Sequence, residues 1–169
     1  RKMIKQNLHC HTTFDDGADT PEEMVTAAVS AGLTSLGISA HSPVPGEVWC
    51  VSEENEPRFK AELHRLREKY RGLIDVYCGL EYDSRSAQRF EGYDYVIASV
   101  HTLAGTTIDN TVEEARQVIE HYGGADAAAC AYYELCTQLA CIARADIVGH
   151  FDLLTKFDER HCLYNSGSK

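Results

Sequence analysis

No apolar run in this chain approaches the length needed to span a bilayer, and the opening Arg-Lys-Met-Ile-Lys is not followed by the apolar segment of a signal peptide. A membrane span and a secretory leader are therefore not expected. Positive charge is also scarce. The chain has 16 Lys and Arg against 26 Asp and Glu, a formal net charge of −10, which argues against a nucleic-acid backbone or an anionic membrane as partner, since either requires a basic face. A small phosphorylated metabolite is not excluded, because bound metal ions can supply positive charge locally. The seven cysteines (10, 50, 78, 130, 136, 141 and 162) form an odd set without a single C-x-x-C. That argues against a disulfide framework and predicts reduced, mostly buried thiols in a cytoplasmic setting. Nucleotide loops of the Gly-x-x-x-x-Gly-Lys and Gly-x-Gly-x-x-Gly types are absent, as is a Gly-x-Ser-x-Gly elbow.

What is present is an alternation of strand-like and helix-like segments within 169 residues, 44% of them hydrophobic, enough for one domain with a real core. Residues 4–9 read as a strand. Thr20-Pro21-Glu22-Glu23 opens a helix with a capping box and proline at the first position, and Gly32 closes it. A second strand covers 35–39 and ends at Ala40-His41, followed by a loop with Pro43, Pro45, Gly46 and Trp49. Residues 57–70 carry Phe59, Leu63, Leu66 and Tyr70 at helical spacing. Strands are expected at 74–81, 95–100 and 146–149, and helices from Thr111 to about His121 and from Asp126 to about Arg144, broken apart by Gly123-Gly124. Apolar strands separated by helices imply an α/β fold with parallel pairing, and in a (β/α) barrel the active site lies at the C-terminal strand ends.

Metal-ligating residue types collect at those ends. His9 and His11 flank Cys10 at the first strand exit; side chains alternate along an extended chain, so both imidazoles face one way and Cys10 faces the core. Asp16 follows in the turn, with Asp15 as a competing or orienting carboxylate. His41 follows the second strand, Glu81 ends the third, and His101 and His150 follow the fourth and fifth. Asp152 is placed to orient an imidazole from behind. His64, His121 and His161 fall on helix or tail positions and read as solvated surface. Each candidate has a plain structural reading too: a loop histidine, a Glu81 paired with Arg85 or Arg89, or an Asp16 serving its turn. Taken jointly they suit a multinuclear site better than a single closed zinc site. A bridging carboxylate and paired ions activating water fit phosphate-ester chemistry.

The run Leu8-His9-Cys10-His11-Thr12-Thr13-Phe14-Asp15-Asp16-Gly17 resembles the first motif of the PHP (polymerase and histidinol phosphatase) family. Ile38-Ser39-Ala40-His41-Ser42-Pro43 is similar to its second, with Ala40 where an Asp is common. Gly79-Leu80-Glu81, Ser99-Val100-His101 and Gly149-His150-Phe151-Asp152 follow in order. The stretches 131–135 and 145–157 resemble the histidinol-phosphatase branch.

The resemblance implies a single PHP domain over 1–169, of distorted TIM-like (β/α) barrel type, with two or three divalent ions (zinc, iron or manganese). It implies that His9, His11 and Glu81 hold one ion, Glu81, His101 and His150 a second, and Asp16 with His41 a third. A metal-bridging hydroxide would then hydrolyse L-histidinol phosphate in histidine biosynthesis. Arg85, Arg89 and Arg116 are candidates for gripping the substrate. The family has seven strands and a terminal Asp-x-His; about five strands are legible here, and Asp158 to His161 has the wrong spacing. The domain is thus expected to be C-terminally incomplete, with self-association as one way to cover an open barrel edge. The alternatives are a metal-binding remnant without catalysis, or another phosphoesterase of the family, including an exonuclease that the acidic charge disfavours.

Overall fold

In a computed structural model of the chain, residues 5–87 and 89–157 are described. Ile4, Asp158, His161 and Cys162, which figure in the expectations above, lie outside them. The chain divides into two compact units, Arg1–Ile97 and Ala98–Lys169.

The first unit contains β1 (Gln6–Asn7), α1 (Pro21–Ser30), β2 (Ser35–His41), α2 (Glu56–Lys69), β3 (Asp75–Asp83) and the start of β4 (Tyr95–Ser99), with the strands in the order β1-β2-β3-β4. β1 pairs parallel with β2, and β2 with β3, in a register that sets His41 opposite Glu81. Leu36 to His41 is buried without alternation, as expected of a strand covered on both faces. Val25, Leu36, Ile38, Phe59, Leu63, Leu66 and Val76 form the core that joins α1 and α2 to the sheet.

The start of α1 follows from its first four residues. The Thr20 side chain accepts from the Glu23 N–H, the Glu23 carboxylate accepts from the Thr20 N–H, and Pro21 occupies the first helical position.

The second unit contains the end of β4, the hairpin β5 (Thr102–Leu103) and β6 (Thr106–Thr107), α3 (Val112–His121), α4 (Ala125–Ala143), β7 (Ile147–Val148) and a 3-10 turn at Leu153–Thr155. β7 lies beside the end of β4, where the Gly149 N–H donates to the Ala98 carbonyl. α4 buries Ala128, Tyr132, Cys136, Leu139 and Ala143, one stripe at helical spacing. The Tyr132 hydroxyl donates to the His150 carbonyl at 3.2 Å, tying that stripe to the residue after Gly149.

Several expectations need correction. Among the described residues the first strand has only two laddered residues, Gln6 and Asn7, instead of continuing to residue 9, because residues from Leu8 onward are held by other contacts. The fifth strand is likewise cut to Ile147–Val148. β3 continues past Glu81 to Asp83, so Glu81 lies inside a strand and not at its end. Cys130 and Cys141 are exposed, since they lie off the buried stripe of α4, whereas Cys10, Cys50, Cys78 and Cys136 are buried and free. Among the described residues no helix is long and apolar enough to cross a membrane.

Candidate metal centre

The first unit gathers His9, His11, Asp15, Asp16, His41 and Glu81. Glu81 is the centre of the group: its side chain is fully buried on β3, and three imidazole nitrogens, two from the segment after β1 and one from β2, approach one of its oxygens. His9 Nε2 is 3.0 Å, His11 Nε2 3.2 Å and His41 Nδ1 3.1 Å from Glu81 Oε2. The parallel register brings His41 of β2 beside Glu81 of β3, and the extended segment after β1 turns both His9 and His11 toward it. Cys10, between them, is buried in the core at 6% exposure, the inward orientation that alternation requires.

The turn after His11 supplies the carboxylates. Asp15 Oδ2 lies 2.7 Å from His11 Nδ1 and accepts the His41 N–H at 3.0 Å, while Asp15 Oδ1 accepts the Thr12 N–H at 2.9 Å. Asp15 is thus the residue that fixes the ring orientation of His11, through the nitrogen opposite the one facing Glu81. Asp16 is half exposed, with Oδ1 3.6 Å from His11 Nδ1 and 3.8 Å from His41 Nε2. The rings of His11 and His41 stack at 4.3 Å. Burial disfavours a charged His11, but the Asp15 and Glu81 carboxylates outweigh it and raise its pKa to about 10.

These side chains fit a divalent ion. At metal–ligand bonds of about 2.0–2.2 Å, two ligands of one ion stand roughly 3.0–3.5 Å apart, the spacing found around Glu81 Oε2. Donor atoms of His11, Asp15, Asp16 and His41 all lie within 4.8 Å of one another. Imidazole and carboxylate suit zinc, iron and manganese alike.

In the second unit, His101 is buried and its ring lies 5.0 Å from that of His150. The His101 carbonyl accepts the Ile108 N–H at 3.0 Å across the hairpin. Asp152 is exposed and caps the 3-10 turn through its carbonyl, which accepts the Thr155 N–H at 2.8 Å.

The arginines make other ion pairs than the plain structural alternative in which Arg85 or Arg89 pairs with Glu81. Arg85 donates to Glu47 at 2.8 Å and lies 3.5 Å from Asp83, and Arg89 is 3.7 Å from Glu53. Glu81 Oε2 faces the three imidazoles. Arg116 is on the exposed side of α3. His64 and His121 are exposed, as expected of surface positions.

Sequence reasoning passed over Trp49 as a site residue. Its indole stands edge-on to His41, stacks under Arg85 at 5.5 Å and donates from Nε1 to Glu47 at 2.8 Å. A single tryptophan in a Pro/Gly loop directly after a candidate ligand is the signal that was available.

Fold and donor set define a class. Residues 7–166 match the PHP domain family, and the chain belongs to it, with the α/β TIM-like fold type of that family. Among curated proteins it is 33% identical over 161 residues to a Deinococcus radiodurans protein named "Probable histidinol-phosphatase", covering 88% of this chain and 61% of that one. It is 26% identical over 91 residues to the histidinol-phosphatase of Bacillus subtilis, covering 48% of this chain and 34% of that one. The chain therefore spans less than two thirds of the length of both relatives.

Among solved structures, a Listeria monocytogenes structural-genomics target assigned as a histidinol phosphatase superposes with a TM-score of 0.78 at 23% identity, over 92% of this chain and 70% of that one. The histidinol phosphate phosphatase of Lactococcus lactis, solved with zinc, L-histidinol and phosphate, gives 0.65 at 22% identity, over 90% of this chain and 59% of that one.

Proposed function

We propose that this chain is a metal-dependent phosphomonoesterase acting on L-histidinol phosphate, releasing L-histidinol and phosphate in a cytoplasmic setting. The observation that carries the reading is the convergence of His9, His11 and His41 on one oxygen of the buried Glu81, at 3.0–3.2 Å. The substrate is suggested by the names of both curated relatives and by the ligands of the Lactococcus lactis structure.

His9, His11, Asp16, His41 and Glu81 would hold two or three divalent ions, and His101 and His150 are assigned the same role from the family motifs. Bound ions of this kind supply an activated water and positive charge for the leaving oxygen. The chain's own residues do the rest. Glu81, dry and central, balances the charge of clustered cations. Asp15 holds the His11 ring by its rear nitrogen, as the outer partners of metal-ligating histidines do. Arg85, braced between Glu47 and Asp83 and half-exposed, is the arginine best preorganised to meet a phosphoryl oxygen.

The test is phosphate release from L-histidinol phosphate by the purified chain loaded with manganese, zinc or iron, beside unrelated monoesters and single-stranded DNA. Turnover selective for L-histidinol phosphate, lost in His9→Ala and Glu81→Ala, is the expected result. Bound metal with no hydrolysis would support the metal-binding remnant instead. Cleavage of DNA or of other phosphate esters would move the chain elsewhere in the family.

A further inference from the structure

We propose that Tyr95 is a positioning residue for the metal centre, reaching from β4 across two strands to fix the backbone that carries His9 and His11. β1 ladders with β2 only at Gln6 and Asn7, so the ligand-bearing residues that follow are outside its hydrogen-bonded register. His9 is instead bracketed by two carbonyl anchors. On one side, the Tyr95 hydroxyl donates to the Leu8 carbonyl at 2.6 Å; on the other, the Ser39 N–H donates to the Cys10 carbonyl at 3.0 Å.

The intervening strands are shaped to let that phenol through. A Cβ at Gly37 on β2 would fall 2.2 Å from Tyr95 Oη, and one at Gly79 on β3 would fall 2.3 Å from Tyr95 Cζ. Neither glycine has a positive φ, so backbone freedom does not account for them. Glycine inside a strand weakens it and marks a close approach. Here both approaches are made by the same ring. Tyr95 is buried, and burial pushes its phenol well above the ordinary range, so it remains a hydrogen-bond donor at any working pH.

Two carbonyl anchors, one of them from a side chain threaded over Gly37 and Gly79, thus replace the ladder where the ligands begin. The inference rests on the metal-binding part of the proposed function and not on the phosphatase activity.

The test compares the 169-residue chain with its Tyr95→Phe variant, which removes one hydroxyl and keeps the ring. Zinc affinity, measured by chelator competition, should fall about tenfold, the lower end of what outer partners of metal ligands contribute. Gly79→Ala, which crowds the ring, should weaken zinc comparably, and the two changes together should cost little more than either. Tyr93→Phe is the control: it deletes the hydrogen bond of another, partly buried tyrosine, to Glu56 at 2.9 Å, and should leave zinc affinity intact. Equal losses in Tyr93→Phe and Tyr95→Phe, or wild-type zinc affinity in Tyr95→Phe, would overturn the proposal. Imidazole NMR signals of the metal-free protein separate it from the metal reading. Shifts of His9 and His11 in Tyr95→Phe support positioning even if the parent chain takes up no zinc, and unmoved signals sink it.

Discussion

The indole of Trp49 meets the imidazole of His41 edge to face, with ring centroids 5.0 Å apart and planes at 90°. His41 is thereby held between Trp49 on one side and the stacked His11 ring on the other. Trp49 is the one tryptophan of the chain, so intrinsic fluorescence becomes a reporter of this candidate ligand. Titration with zinc or manganese should change the emission, and His41→Ala should abolish the response. Trp49→Ala should weaken metal binding by up to about tenfold, in keeping with the roughly 0.5–1.5 kcal/mol of an aromatic pair. An emission spectrum indifferent to metal would remove His41 from the ligand set.

Glu81→Gln keeps the side-chain shape and removes the charge on which three imidazoles converge. Metal affinity should drop by about 3–5 kcal/mol, the range for removing one partner from a buried charged group. Elemental analysis after gel filtration should find the substituted chain depleted of ions. Retention of a full complement would show that Glu81 is not a ligand.

Asp15→Asn removes an acceptor that His11 Nδ1 meets at 2.7 Å and offers the imidazole an amide instead. A loss of roughly 10–100-fold in metal affinity is expected, with the fold intact by circular dichroism. Asp16→Asn tests the neighbouring carboxylate separately. If Asp16→Asn costs everything and Asp15→Asn nothing, the roles given to the two are reversed.

The cysteines make a prediction independent of the metal. Cys130 and Cys141 are exposed and should be alkylated first in the native protein, while Cys10 and Cys78 should react only after unfolding. Burial raises Cys78 from 9.0 to about 12. A thiol held protonated in the fold contributes its full share of stability below its unfolded pKa, near 9, and loses it as pH rises toward 12. Cys78→Ala should therefore flatten that part of the alkaline unfolding profile, and an unchanged profile would mean that other groups govern it.

The β5–β6 hairpin turns through Ala104 and Gly105, both with positive φ (51° and 80°). A two-residue turn of this kind favours Asn before Gly. Ala104→Asn should stabilise the second unit by about 0.5–1 kcal/mol, part of the left-handed penalty borne by a residue with a Cβ. A lower melting temperature would count against that turn geometry.

Legibility varied with how local the determinants were. The Thr20 capping box, the glycine break between α3 and α4, and the outward pair His9 and His11 around an inward Cys10 depend on near neighbours and could be read directly. The hairpin at 102–107 was missed because Ala-Gly replaces the expected Asn-Gly. The first strand was read too long because alternation continues through residues 8–11 while the ladder stops at Asn7. The strap from Tyr95 to Leu8 and the contact of Trp49 with His41 depend on distant residues meeting across strands and loops, which no local pattern encodes.

The inward turn of Cys10 carries a consequence for which ions this centre accepts. The pleat sorts donors by softness: the only thiol within the His9–His11 tripeptide is delivered to the hydrocarbon side, and the open side receives nitrogen and oxygen alone. Mercury or cadmium, which seek sulfur, would gain no thiolate there without prying the segment from its sheet. By this alternation an ion is offered imidazole nitrogen and carboxylate oxygen without a thiolate, a donor set suited to borderline and hard cations.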